Sequence, residues 1–137
     1  LKNRYESQGE ITVIYLDRRN GSSIPAIVSS CRLPDLQEFP HKWVAAWRET
    51  TQSYYVLSRI RDKNDVWRTV YLHRFLNNPR KKEDVDHRDR DTLNNLDDNL
   101  RNVRRKKNNK NRRPNGSVSR EEWNHYEKLQ NEELARG

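Results

Sequence analysis

Long apolar runs are missing from this 137-residue chain, in which only 31% of residues are hydrophobic and 35% are charged. No stretch approaches the ~18 apolar residues that a membrane-crossing helix needs, and the N-terminal segment has no signal-peptide-like apolar block. No membrane partner is expected, and a soluble, cytoplasmic protein is. Cysteine is nearly absent as well. The single Cys31 excludes an internal disulfide framework and any paired-cysteine zinc knuckle, in keeping with a reducing compartment. So little apolar material makes only a small core. Four Trp and six Tyr offset part of the shortage, because each aromatic buries a large area. A chain of this kind gains stability from nucleic acid, metal or a second subunit.

Positive charge is plentiful and unevenly placed within a net charge of +8. Residues 1–70 carry 11 basic and 8 acidic side chains, residues 71–113 carry 14 and 7, and residues 114–137 carry 3 and 5. Residues 99–113 hold eight Lys/Arg and no acid. A patch that dense points to a polyanion, with a solvated basic run as the plain alternative.

Residues 10–16 are rich in β-branched and aromatic side chains and read as a strand, with Asn20-Gly21 turning the chain back into a second strand over Ile24–Val28. Pro34 can start a short helix over Asp35–Phe39, which Pro40 ends. Lys42–Arg48, Ser53–Ile60 and Val66–Val70 are three further strands, so the first seventy residues form a small, twisted antiparallel sheet. Val70, Leu72, His73, Phe75 and Leu76 suit a short helix closed by Asn77-Asn78-Pro79. Arg80–Asp84 reads as a surface loop. Asn99 to about Asn111 reads as a turn running into a basic helix. After Pro114-Asn115-Gly116, Ser119 and Glu122 make a capping-box pattern for a C-terminal helix over about 120–134.

The stretch that bears chemistry is Val85-Asp86-His87, followed by Asn94-Asn95, Asn99-Leu100-Arg101 and Asn108-Asn109-Lys110-Asn111. Asn99 stands twelve residues after His87, and Asn108 nine after Asn99. This pattern resembles the HNH endonucleases, especially the phage and intron-borne homing type, over roughly residues 66–111. Tyr71-Leu72-His73-Arg74 resembles the segment that often precedes the motif in that family.

Together with the strand and helix readings, the resemblance implies an α+β fold: an N-terminal antiparallel sheet (1–70) that is a candidate DNA-contacting region, a ββα-metal HNH motif (71–113) and a C-terminal helical tail (114–137). It implies a metal-dependent endonuclease acting on double-stranded DNA, in a bacterial or phage-infected cell, with His87 as general base. Asp86 and Asn108 would hold a divalent ion, Mg²⁺ or Mn²⁺. The middle Asn of the family ties the connecting loop and holds the histidine. Asn99 is the first choice for that part and Asn95 the second, with His73 a further supporting residue. Arg101, Arg104, Arg105, Lys106, Lys107, Lys110, Arg112 and Arg113 would clamp phosphates through charge rather than sequence.

The residue types fit the chemistry. A neutral imidazole, with an ordinary pKa of about 6.5, can take a proton from the attacking water. One carboxylate and one amide oxygen suit a hard cation that shares its shell with substrate. Neighbouring residues of a regular strand point to opposite faces, so Asp86 and His87 share a site only at a strand end or bend. Against the family pattern, Arg104 stands where related proteins often have Thr, and only a short, net acidic tail follows Arg113. Any target choice then falls to residues 10–70, through Trp43, Trp47, Tyr54, Tyr55, Trp67 and nearby arginines, unless those aromatics simply pack the core. Two other classes compete: a non-catalytic DNA-binding module, and an RNA binder using the aromatic sheet face. One ββα site cuts one strand, so a monomer nicks while a homodimer could break both strands.

Overall fold

The computed structural model describes residues 1–105 and the short strand at 117–118. It is an α+β fold dominated by strands. Strands β1 (Tyr5–Gln8), β2 (Ile11–Asp17) and β3 (Ser23–Ser29) form an antiparallel meander. A 3₁₀ turn (Ser30–Arg32) leads into helix α1 (Leu33–Glu38), which carries Pro34 in its first turn and gives way to extended backbone at Phe39. Strands β4 (Val44–Arg48), β5 (Ser53–Arg61) and β6 (Trp67–Tyr71) form a second antiparallel meander, followed directly by helix α2 (Leu72–Asn77). Then come β7 (Glu83–His87), the two-residue β8 (Asn94–Asn95), β9 (Leu100–Arg104) and β10 (Ser117–Val118).

The single N-terminal sheet expected from the sequence is instead two. Their orders are β1-β2-β3-β8 and β10-β6-β5-β4, each closed at one edge by a parallel pairing from later in the chain. Alternation explains the layering. Thr12, Ile14 and Leu16 of β2 and Ala26 and Val28 of β3 point inward, while Val56 and Ile60 of β5 and Val70 of β6 meet them from the other sheet. Leu36, Phe39, Trp43 and the Leu72, Phe75 and Leu76 side of α2 complete the core, and Leu100 of β9 belongs to the same cluster. Phe39 stacks on Trp43 at 4.5 Å, and Phe75 meets both rings edge-on. Buried Asn3 pins the sheets together: its amide donates to the carbonyls of Tyr15 and Trp43 and accepts from the Trp43 N–H.

The turn signals work as their chemistry requires. Gly21 takes φ 87° in the β2–β3 connection, where the Asn20 side chain accepts from Ser22. Asn78 ends α2 in the left-handed conformation at φ 43°, ahead of Pro79.

The basic helix expected to follow Asn99 does not start there. Leu100–Arg104 is strand β9, paired antiparallel with β7. Leu96, Leu100 and Val103 recur at helix-compatible spacing, but Leu100 is needed in the core and the edge of β7 needs a partner. Tertiary pairing overrides a weak local pattern. Asn108, Lys106, Lys107, Lys110, Arg112, Arg113 and the segment expected to form the C-terminal helix lie outside the described residues. Among the described residues no helix is long and apolar enough to cross a membrane.

Candidate catalytic site

Asp86 and His87 are the last two residues of β7, the strand-end position that lets neighbours serve one site. His87 is 6% exposed, whereas Asp86 remains open to solvent. Both line a cavity of about 690 Å³, along with Asp84 and Val85 of β7, Arg90 and Thr92 of the loop after it, and Arg48, Tyr55, Tyr71, His73 and Arg74 of β4–β6 and α2, with the Thr50, Thr51 and Ser53 rim of the β4–β5 turn. His73 packs against His87 with ring centroids 5.0 Å apart, and Tyr55 meets His87 edge-on at 6.4 Å.

One hydrogen bond fixes the histidine. His87 Nε2 lies 3.0 Å from Asn95 Oδ1, a contact buried on both sides. Asn95 Nδ2 donates to the Thr92 carbonyl at 3.4 Å, and a carbonyl can only accept. That orients the amide with its oxygen toward the ring. His87 Nε2 is therefore the protonated nitrogen, and Nδ1 keeps its lone pair. Burial pushes the His87 pKa below its ordinary value, while the Asn95 bond and the carboxylates of Asp86, Asp89 and Asp91 draw it part of the way back. His73 is driven well below its ordinary value by burial, helped by repulsion from His87 whenever that ring is charged and by the positive potential of Arg74 and Arg48. Both rings are thus neutral near pH 7.

The two parts assigned to one middle asparagine are divided between two. Asn95 meets the histidine, and Asn99 ties the loop that joins β7 to β9. Asn99 Nδ2 donates to Asp89 Oδ1 (2.8 Å) and the Asn94 carbonyl (2.7 Å), and its Oδ1 accepts from the Asp89 N–H. Asp89, which is not among the residues the sequence pattern singles out, is the hub. It also accepts from the Asp91 N–H and Asn94 Nδ2, and these donors hold its pKa below the usual carboxylate value. Its signal was the Asp89-x-Asp91 spacing, in which each side chain caps the backbone two residues on. The loop is fastened to both sheets. Asn94–Asn95 pairs with β3, Asp97 binds Arg32 and the Ser29 hydroxyl, and the Thr92 hydroxyl donates to the Tyr54 carbonyl.

Two arginines expected on DNA phosphates are occupied within the protein. Arg101 lies directly across from Asp86 in the β7–β9 register, and its Nε and Nη2 contact Asp86 Oδ2 at 3.0 and 2.9 Å. Arg105 binds both oxygens of Asp84, which also faces Arg74. Arg104 is exposed. Of the candidate DNA-contacting aromatics, Trp43 is wholly in the core, whereas Trp47 (47%) and Trp67 (60%) are exposed.

For a metal, Asp86 Oδ1 has no partner among the described residues, while Oδ2 carries the Arg101 contact. No cluster of three or more His, Cys, Asp or Glu side chains suited to a metal occurs among the described residues. A set made of one carboxylate and one amide has too few such groups to form one. Set against family models, curated proteins and solved structures, the chain matches none.

Proposed function

We propose that the chain is a metal-dependent DNA endonuclease of the HNH type, hydrolysing phosphodiester bonds with His87 as general base. The observation that carries this reading is the His87–Asn95 pair. It supplies a neutral, buried imidazole with its proton committed to Nε2 and its Nδ1 able to accept, beside an exposed carboxylate at a cavity wall. Binding alone requires none of this, whereas a general base requires a neutral ring with one nitrogen able to accept. In the proposed reaction Nδ1 takes the proton of the attacking water, and Asn95 keeps the ring in one orientation as it becomes charged. Asp86 offers Oδ1 to a divalent ion, Mg²⁺ or Mn²⁺, with Asn108 as the second donor implied by the resemblance. When bound, such an ion supplies positive charge against the reacting phosphate. The antiparallel pairing of β7 with β9 is compatible with the two strands of a ββα motif.

A second reading, a DNA-binding module that retains the fold without catalysis, is favoured by the Asp86–Arg101 ion pair, which half-occupies the one carboxylate the metal needs. Supercoiled plasmid and the host's own DNA, incubated with Mg²⁺ or Mn²⁺ and with EDTA, separate the two. The nuclease reading requires metal-dependent conversion to open-circular or linear product. His87→Ala is expected to lower the rate by ~10²–10⁴-fold with DNA affinity nearly intact. No conversion of either DNA leaves the binding module, and full activity of His87→Ala removes the general-base assignment.

A further inference from the structure

The cavity holds an arginine that the catalytic assignment does not use. Arg48, at the end of β4, is half-buried. Its guanidinium lies over the Tyr55 ring at 4.8 Å and the Tyr71 ring at 5.5 Å, and its Nη2 donates to the Tyr71 hydroxyl. The other charges of the cavity wall are largely cancelled in place. Asp84 is matched by Arg74 and Arg105, and Asp86 by Arg101. Arg48 has no carboxylate partner among the described residues. Removing a cation from water without a counter-charge is unfavourable, so one held in a cleft marks where negative charge arrives. Arg90, the other lining cation with no carboxylate partner there, sits on the exposed loop and is not held by stacking.

We propose that Arg48 is the phosphate-binding arm of this site: stacked on Tyr55 and Tyr71, it receives the non-bridging oxygens of the nucleic-acid phosphodiester lying against His87. The geometry suits the task. Tyr55 is shared, with the Arg48 guanidinium 4.8 Å from its ring centre and the His87 ring 6.4 Å from it. One donor of the guanidinium is spent on Tyr71, and the rest of the planar fork is left for a tetrahedral anion. Stacking removes the rotamer freedom that phosphate binding would otherwise have to quench. Thr50, Thr51 and Ser53 line the same rim, where the Thr51 and Ser53 hydroxyls bond each other at 2.9 Å. Arg48 provides the anion with a fixed positive charge inside the cleft.

The proposal rests on the nuclease reading for its substrate, so its test uses two readouts that fail separately. The first titrates inorganic phosphate into the full chain without metal, following the His73 and His87 ring proton resonances. Arg48→Gln retains a donor for Tyr71 but loses the charge. It should weaken phosphate about tenfold to a hundredfold while circular dichroism stays unchanged. Arg48→Lys retains the charge without the fork and should weaken it at least threefold; it carries the test if the Gln variant does not fold. The second readout is plasmid cleavage, where Arg48→Gln should lower kcat/KM by a similar factor. Phosphate binding lost in both variants, with no cleavage of plasmid or host DNA by wild type, supports the subsite and ends the nuclease reading. Cleavage unchanged in both variants overturns the Arg48 assignment and leaves the nuclease standing. Absence of any phosphate-dependent shift in the wild type overturns it as well.

Discussion

Replacing Asn95 with alanine tests the reasoning about the base most directly. Asn95 is 1% exposed, and its oxygen is the acceptor for His87 Nε2 at 3.0 Å. Truncation strands a buried N–H, which costs about 1–3 kcal/mol. The void left by the amide adds about 1 kcal/mol. The 3.4 Å bond to Thr92 is too long to add much. A loss of about 2–4 kcal/mol corresponds to a urea midpoint lower by roughly 1–2 M, with little change in slope.

The effect on catalysis differs in kind. Without Asn95 the proton is free to move to Nδ1, which blocks the nitrogen that should accept, so kcat should fall about tenfold to a hundredfold. The Asn95 bond also holds the His87 pKa up against burial, so its removal moves that pKa further down. The acid limb of the pH–rate profile therefore shifts to lower pH in Asn95→Ala. Plasmid nicking from pH 5 to 8, with urea denaturation alongside, gives both quantities. Long-range ¹H–¹⁵N correlations of the imidazole report the tautomer directly and do not depend on activity. A variant that loses stability yet keeps kcat within about twofold, with its acid limb unmoved, refutes the argument and leaves Asn95 a packing residue.

Arg101→Gln releases Asp86 from a pair that is half exposed on both sides and so worth at most about 1 kcal/mol. Mn²⁺ affinity, measured by titration, should rise up to about fivefold; weaker binding would show that Arg101 assists the metal rather than competing with it. Stability should also fall as the solution is acidified below pH 6.5. His41, His73 and His87 all have pKa values below the ordinary one in the folded chain. Their stabilisation is fully present above the unfolded value of about 6.5 and is lost as pH falls toward the folded values. The slope is up to about 1.4 kcal/mol per pH unit for each imidazole still neutral. Urea midpoints at pH 7 and 5 check this, and equal or greater stability at pH 5 contradicts it. The carboxylates of Asp17, Asp62 and Asp89 have lowered values, and their contribution is lost only in the separate window below about pH 4.

The first hairpin and the β4–β6 meander were legible because their signals are local: β-branched alternation bounded by Asn20-Gly21, by Thr51-Gln52 and by Asp62–Asp65. The same holds for α1 and α2, marked by Pro34 and by Asn77-Asn78-Pro79. Strand β1 was not legible. Tyr5-Glu6-Ser7-Gln8 is exposed throughout and carries no alternation, and only its pairing with β2 makes it a strand. Leu100–Arg104 misled for the opposite reason, since its leucine spacing fits a helix while its partner is thirteen or more residues back in β7. In the site, the types and spacing of Asp86, His87, Asn95 and Asn99 marked the residues. They could not say which asparagine meets the imidazole, because that depends on the path of the loop between β7 and β9. Arg48 had no local signal at all. Nothing in Ala45-Ala46-Trp47-Arg48 distinguishes it from a surface strand arginine until β5 and β6 place two tyrosines beneath it.

That dependence on distant residues bears on what makes the motif a site. A two-stranded ribbon such as β7–β9 is marginal by itself in water, and the loop between its strands consists largely of polar side chains bonded to one another. Water is kept from His87 by Tyr55 and His73, from β5 and α2, and the loop carrying Asn95 is held by β3 and the Tyr54 carbonyl. An open His87 would sit near its ordinary pKa, with part of its population charged at neutral pH and unable to act as a base. The pairing of Asn95 with the ring would also compete with water. The N-terminal sheets are thus more than a platform to which the motif is attached. They create the dry wall that makes an ordinary Asp-His pair chemically distinct from the many such pairs found on protein surfaces.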